Sequence, residues 1–198
     1  MKYSLVMIVF IVYSLCSEHA YSQDKVAIKT NFLYGASALA PNLGMELGIG
    51  QRTTLDISGG YNWFNLDGAK NNNKKLVHWI IQPELRYFLC ERFSGHFFGV
   101  HALYSNYNIG GHELPLLFGK GSAKFRHQGN AFGAGLSYGY QVVISKRLNV
   151  EFNVGAGYMR MAYDRYDCTN CGTLKEKGNT KNYFGPTKAG ISLIYLIK

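Results

Sequence analysis

The chain has 198 residues, among them 23 Gly, 15 Tyr and 12 Phe, with only 17% charged residues and a formal net charge of +9. That length holds one domain with a full core and leaves little room for a second. Glycine and aromatics in abundance, with few charges, argue against a helical protein, and no nucleic-acid recognition motif accompanies the positive charge.

Residues 1–22 read as a cleaved secretion signal. Lys2 precedes the apolar run "LVMIVFIVYSLC", Leu5 to Cys16, and Ala20 and Ser22 stand three and one before a cut that leaves Gln23 first. The run is too short to span a bilayer as a helix. Lipidation at Cys16 is the alternative, but Tyr13 and Leu15 fit a lipobox poorly. Cleavage removes one Lys and one Glu, so the charge stays at +9. Residues 23–198 then form a single domain.

From Lys25 onward the chain divides into about eight segments of period two, each near the roughly 9–11 residues of a tilted membrane strand. The first, "VAIKTNFLYGASAL", sets Val26, Ile28, Phe32 and Tyr34 against Lys29, Asn31 and Ser37. The next two place Leu43, Met45 and Leu47 against Glu46, then Leu55, Ile57, Tyr61 and Trp63 against Asp56 and Ser58. In "WIIQPELRYFLC", Trp79, Ile81, Leu85 and Tyr87 oppose His78, Gln82, Glu84 and Arg86. His96–Ile109 is ambiguous, with aromatics on both faces. The last three segments oppose Phe132, Leu136 and Tyr138 to Gly and Ser, Phe152 and Val154 to Glu151 and Asn153, and Ile191 and Tyr195 to Lys188 and Ser192.

No charge falls on an apolar face until Arg160, at a strand end. A Lys or Arg facing lipid at mid-depth costs about 2–4 kcal/mol, so such a partition suits a lipid-facing wall. A soluble lipocalin-like carrier is the alternative, and it calls for charged outer faces. The connections point the same way. Short turns at Gln51-Arg52, "CERFSG" and "SKR" alternate with long loops at 65–75, 111–130 and 164–182, the outer-membrane pattern. "APN" at 40–42 is expected to be a tight first outer loop. The expected fold is therefore all-β, an eight-stranded antiparallel up-and-down transmembrane barrel in the outer membrane of a Gram-negative cell.

The interior of an eight-stranded barrel is just filled by side chains. Lys29, Glu46, Glu84, Arg86 and Glu151 are expected to neutralise one another there, because an unpaired buried charge is costly. Pro83 withholds a ladder hydrogen bond, so a bulge or local distortion is expected around it. Cys168 and Cys171 are expected to form a loop disulfide; the second cysteine pair usual in a zinc site is missing. Cys90, the odd cysteine of residues 23–198, is expected to be a free thiol. No metal or cofactor is expected. His112, Ser122 and His127 are the only candidates for an enzyme acting on lipid at the rim, and a small channel is a further alternative. The basic loop residues Lys70, Lys74, Lys75, Lys120, Lys124, Arg126, Arg165, Lys175, Lys177 and Lys181 would suit lipopolysaccharide or an acidic partner.

The stretches "KTNFLYGASALAPNLGMELGI", "QPELRYFL", "HFFGVHALYSNYNIGG" and "AGISLIYLI" resemble a family of short outer-membrane barrels from Gram-negative anaerobes, classed as a domain of unknown function. The resemblance implies an eight-stranded barrel without catalytic residues. Members are often encoded beside fimbrial or pilus-assembly components, which implies a surface-assembly role and a fimbrial or surface protein as partner. One departure is the ending Ile197-Lys198, where many such barrels close on an aromatic assembly signal.

Overall fold

The computed structural model describes residues 25–38, 40–63, 74–167 and 173–197. The expected signal segment 1–22 and the Cys168–Cys171 pair lie outside these residues. Eight antiparallel strands, each bonded to the next in sequence, close into one barrel when β8 pairs with β1. They are β1 (Val26–Asn31), β2 (Asn42–Gly48), β3 (Thr53–Asn62), β4 (Lys75–Phe88), β5 (Gly95–Gly110), β6 (Arg126–Ser145), β7 (Leu148–Tyr166) and β8 (Leu174–Ile197). Their lengths climb from 6 residues in β1 to 24 in β8. The barrel is therefore low on the β1–β3 side, and the β5–β8 wall stands far above it at the end that carries the long connections.

The burial pattern is inside out. Inward-facing Glu46, Asp56, Glu84, Arg86 and Glu151 are at most 1% exposed, while outward-facing Leu43, Leu136 and Val154 are more than 60% exposed. Period-two alternation produces this directly, because successive side chains point to opposite faces of a strand. On the outside, Tyr87, Phe98, Tyr138, Phe152 and Tyr195 mark a lower aromatic belt. Tyr61, Trp79, Tyr104, Phe132, Tyr158 and Phe184 mark an upper one. The register ties the belts across strands: Tyr87 opposes Phe98 and Phe98 opposes Tyr138 below, while Tyr104 opposes Phe132 and Tyr158 opposes Phe184 above. The ambiguous segment is β5, with Phe97, His101, Leu103 and Tyr107 inward and Phe98, Val100 and Tyr104 outward.

Three expectations are corrected, and the disturbance expected at Pro83 takes the form of a local lapse in pairing. The first strand does not run through to Leu39: it stops at Asn31, and α1 (Phe32–Ala38) follows. The side-chain oxygen of Asn31 accepts the Tyr34 N–H at 3.1 Å, an N-cap bond, and residues 32–38 include no β-branched residue to resist a helical turn. The tight "APN" loop is accordingly the tail of a longer, helical connection. The Tyr34 ring turns inward, over Gly60, where a Cβ would come within 2.4 Å of it. The loops expected at 111–130 and 164–182 are also shorter, since β6 starts at Arg126, β7 runs to Tyr166 and β8 starts at Leu174. Their polar sequences hid strands that do not alternate in hydropathy.

At Pro83 the pairing of β4 with β5 lapses for Gln82 and Pro83, then resumes in the same register, with Ile81 opposite Tyr104 and Glu84 opposite His101. Register shifts lie elsewhere: beside Pro186, where Gly155 opposes Lys188 and Ala156 opposes Pro186, leaving Thr187 as the extra residue, between Val143 and Ser145 of β6, and twice where Tyr163–Tyr166 of β7 meets the start of β8. Finally, Cys90 is disulfide-bonded, to a partner outside the described residues. Counting cysteines in residues 23–198 could not reveal this, because bridging depends on which chain segment comes within reach of the turn.

Candidate functional sites in the lumen and at the mouth

Register brings three carboxylates side by side in the lumen: Glu46 on β2 lies opposite Asp56 on β3, and Asp56 lies opposite Glu84 on β4. Like charges in adjacent positions repel, so the row stands only if cations answer it. Arg86 does so from two residues beyond Glu84. Its guanidinium lies 2.6 Å from Glu84, 2.9 Å from Glu46, 3.1 Å from Asp56 and 2.7 Å from Glu151, which reaches in from β7. Its carbon rests 4.6 Å from the centre of the Phe97 ring. Lys29 on β1 reaches Asp56 at 2.9 Å, Glu46 at 3.4 Å and Glu151 at 3.7 Å.

The structure thus brings together all five residues expected in the lumen, Lys29, Glu46, Glu84, Arg86 and Glu151. It adds two that had been placed on the inward face without a partner. Asp56 takes the centre of the row. Lys188 lies 2.7 Å from Glu84 and 3.7 Å from Asp56. Their signal was the strand parity that also placed Glu46 and Glu84. Four carboxylates and three cations therefore share the cluster.

Neutral donors complete the carboxylates. Thr54 donates to Glu46 at 2.6 Å, Gln141 and Asn153 donate to Glu151 at 2.8 and 2.6 Å, and Ser137 donates to Glu84. Above the cluster a recess of about 180 Å³ opens beneath α1, lined by Tyr34, Asn42, Ser58, Gln82, Thr187 and neighbouring residues. The hydroxyl of Tyr34 closes it by donating to Nε2 of His78 at 2.6 Å. The other ring nitrogen of His78 donates to the Leu76 carbonyl, which fixes this tautomer.

The mouth is covered on its tall side by residues 111–125. Glu113 accepts the N–H groups of Gly121 at 2.6 Å and Ala123 at 3.1 Å, which hold its carboxyl below the ordinary carboxylate range. Ser122 accepts the Leu114 N–H at 2.8 Å and donates to the His112 carbonyl at 3.4 Å. Its hydroxyl is thus engaged with loop backbone. The one-turn helix α2 (Pro115–Phe118) sends Phe118 onto the imidazole of His127, 4.2 Å between ring centres and nearly parallel. Leu114, Leu117 and Phe118 pack on a cluster of Tyr107, Ile109, Ala131 and Met161 inside the wall. The structure therefore places Ser122 and His127 in the framework of the loop.

Among the basic residues, Arg126 lies over Tyr166, Arg165 pairs with Glu176 and lies over Phe125, and Lys175 pairs with Asp167. Lys120, Lys124 and Lys177 are exposed, and Lys70 lies outside the described residues. No group of three or more metal-ligating side chains occurs among the described residues.

Over residues 5–197 the chain matches the family described as Protein of unknown function (DUF3575). The chain belongs to this family. No curated protein and no solved structure matches it.

Proposed function

We propose that this DUF3575 protein is a non-enzymatic outer-membrane barrel, exported by residues 1–22, whose outer mouth binds a partner in the assembly of fimbriae or other cell-surface structures. The observation that carries the membrane placement is the inside-out wall. Leu136 and Val154 stand more than 60% exposed between two aromatic belts, while Arg86 is 1% exposed inside. Outer-membrane barrels carry an apolar outer band between aromatic girdles, with polar groups inside. Phe98 and Tyr104 on β5 are six positions apart and Trp79 and Tyr87 on β4 eight, which is about 20–26 Å along the strands.

The ion-paired lumen supports a closed barrel over a channel, and the engaged Ser122 hydroxyl supports a binding mouth over a hydrolase. The exposed lysines of the mouth suit lipopolysaccharide at the rim and an acidic protein beyond it. The fimbrial context rests on the sequence resemblance.

The test is made on cells. Outer-membrane fractions are run boiled and unboiled after protease treatment of intact cells, and residues 112–124 are replaced by a short turn. The expected result is a heat-shifted band, cleavage confined to the outer connections, and defective surface assembly in the variant. Recovery of the protein from the soluble periplasm without a heat shift would refute the membrane placement. Normal surface assembly in the variant would refute the role of the mouth.

A further inference from the structure

The outer wall of β4–β7 changes character above the upper aromatic belt, and the register lays the change out in rows. Asn106 opposes Asn130, and its amide donates to the Asn130 side-chain oxygen at 2.6 Å. One row up, Asn108 opposes Gln128. In the next row Lys75 opposes Gly110, which in turn opposes Arg126. These residues share the outward parity of Tyr104 and Phe132, since the alternate residues Leu76, Ile109 and His127 pack inside the wall. A band of neutral amides thus separates the aromatic belt from a pair of cations.

The two cations flank a position that has no side chain. Two strand spacings put the Cα atoms of Lys75 and Arg126 roughly 9–10 Å apart, with Gly110 between them. The guanidinium carbon of Arg126 rests 3.9 Å from the centre of the Tyr166 ring, and its Nε has no hydrogen-bond partner. The outer ion pairs of the described residues, Arg165–Glu176 and Lys175–Asp167, involve neither cation. Asp164, opposite Gln128 in the row below, accepts the Gly178 N–H at 2.8 Å. A phosphate seated over Gly110 would accept charge-assisted hydrogen bonds from both cations, which otherwise repel each other.

Height decides which phosphate. Lys75 is four positions beyond Trp79 and Arg126 six beyond Phe132. That is about 13–20 Å along the strands, and roughly 9–14 Å in height at a tilt near 45°. The headgroup layer of a phospholipid leaflet is only about 5–8 Å deep. On the proposed membrane placement the pair therefore stands above phospholipid phosphates, in the phosphorylated sugar layer of lipopolysaccharide. The amide band supplies donors and acceptors for sugar hydroxyls. This face lies on the side of the barrel, continuous with the lipid-facing wall, so its neighbour is the surrounding lipid and not a protein standing over the mouth.

We propose that the outward face of β4–β6 above the belt, anchored by Lys75 and Arg126, binds a phosphate group of lipopolysaccharide in its sugar layer. This rests on the proposed membrane placement and deepens it by naming a lipid site beside the mouth.

In the test, full-length protein refolded in non-ionic detergent is immobilised and titrated with fluorescent lipopolysaccharide. K75E/R126E removes the site, and K120E/K124E reverses two exposed lysines of the mouth as a control. The expected result is saturable retention, weakened about tenfold or more in K75E/R126E and within about twofold of wild type in K120E/K124E. Lipopolysaccharide stripped of its phosphates should not compete, and neither should phosphatidylglycerol. Folding of each variant is checked by its heat-shifted migration.

Unchanged retention in K75E/R126E would overturn the inference. Equal weakening in both variants would overturn it as well, because general charge at the outer end would then explain retention. Competition by phosphatidylglycerol would assign the cations to a phospholipid headgroup, and competition by polyglutamate would assign them to an acidic protein segment; either result overturns the site. The membrane placement is judged separately by fractionation and the heat-shifted band. A barrel that migrates as expected without selective retention of lipopolysaccharide removes this site alone.

Discussion

Arg86 is the residue on which the interior depends most. Four carboxylates lie within 3.1 Å of its guanidinium, and three of them belong to one row of adjacent strand positions. Lys29 and Lys188 cannot answer four charges alone. Arg86→Met is therefore expected to destabilise the barrel by about 3–5 kcal/mol, the scale of breaking a buried ion pair from one side. Urea unfolding of vesicle-refolded protein, followed by the heat-shifted band, measures this. A change below about 1 kcal/mol would mean that the carboxylates shed their charge at little cost. Much of the cluster was legible in the sequence, since one parity rule put all seven charged residues on inward faces. Which of them meet was not, because contact across a lumen depends on register between strands distant in sequence.

The connections at the mouth carry the local decisions that hydropathy misses. In α1 a single Asn31 side chain both caps the helix and continues the β8 ladder, so a segment that alternates acceptably as a strand bends inward instead. Residues 111–125 fold onto the tall wall through Glu113, whose carboxylate gathers two backbone N–H groups. These bonds hold the Glu113 pKa below its ordinary 4.5. The sign follows: the contribution is complete above pH 4.5 and is lost as the pH falls through the lower folded value. Protease nicking of the loop, read as cleavage rate with an acid-stable protease, should be slow at pH 6 and quicken below pH 4.5. Glu113→Gln should nick faster at pH 6 and lose that pH dependence. A wild-type rate unchanged down to pH 3 would show that the carboxylate does not hold the loop.

For the whole molecule, the distribution of polarity decides between two solvents. Leu136 lies between Phe132 and Tyr138 of the two belts and is 68% exposed. In water, Leu136→Lys at such a site is nearly neutral; in a bilayer it costs about 2–4 kcal/mol. Parallel unfolding of the variant in vesicles and in detergent should show a penalty confined to the vesicles, and equal stability in both would argue for a soluble carrier. By itself the sequence determined the all-β architecture, the number of strands, their up-and-down order and, outside the ambiguous β5, which strand residues face inward, because period two is a local property of an extended chain. Only the tertiary structure decided where strands end, as at Asn31, Arg126 and Leu174, where the ladder slips, as at Thr187, and which charges meet. Those outcomes depend on neighbours distant in sequence, whose hydrogen bonds and counter-charges no local pattern records.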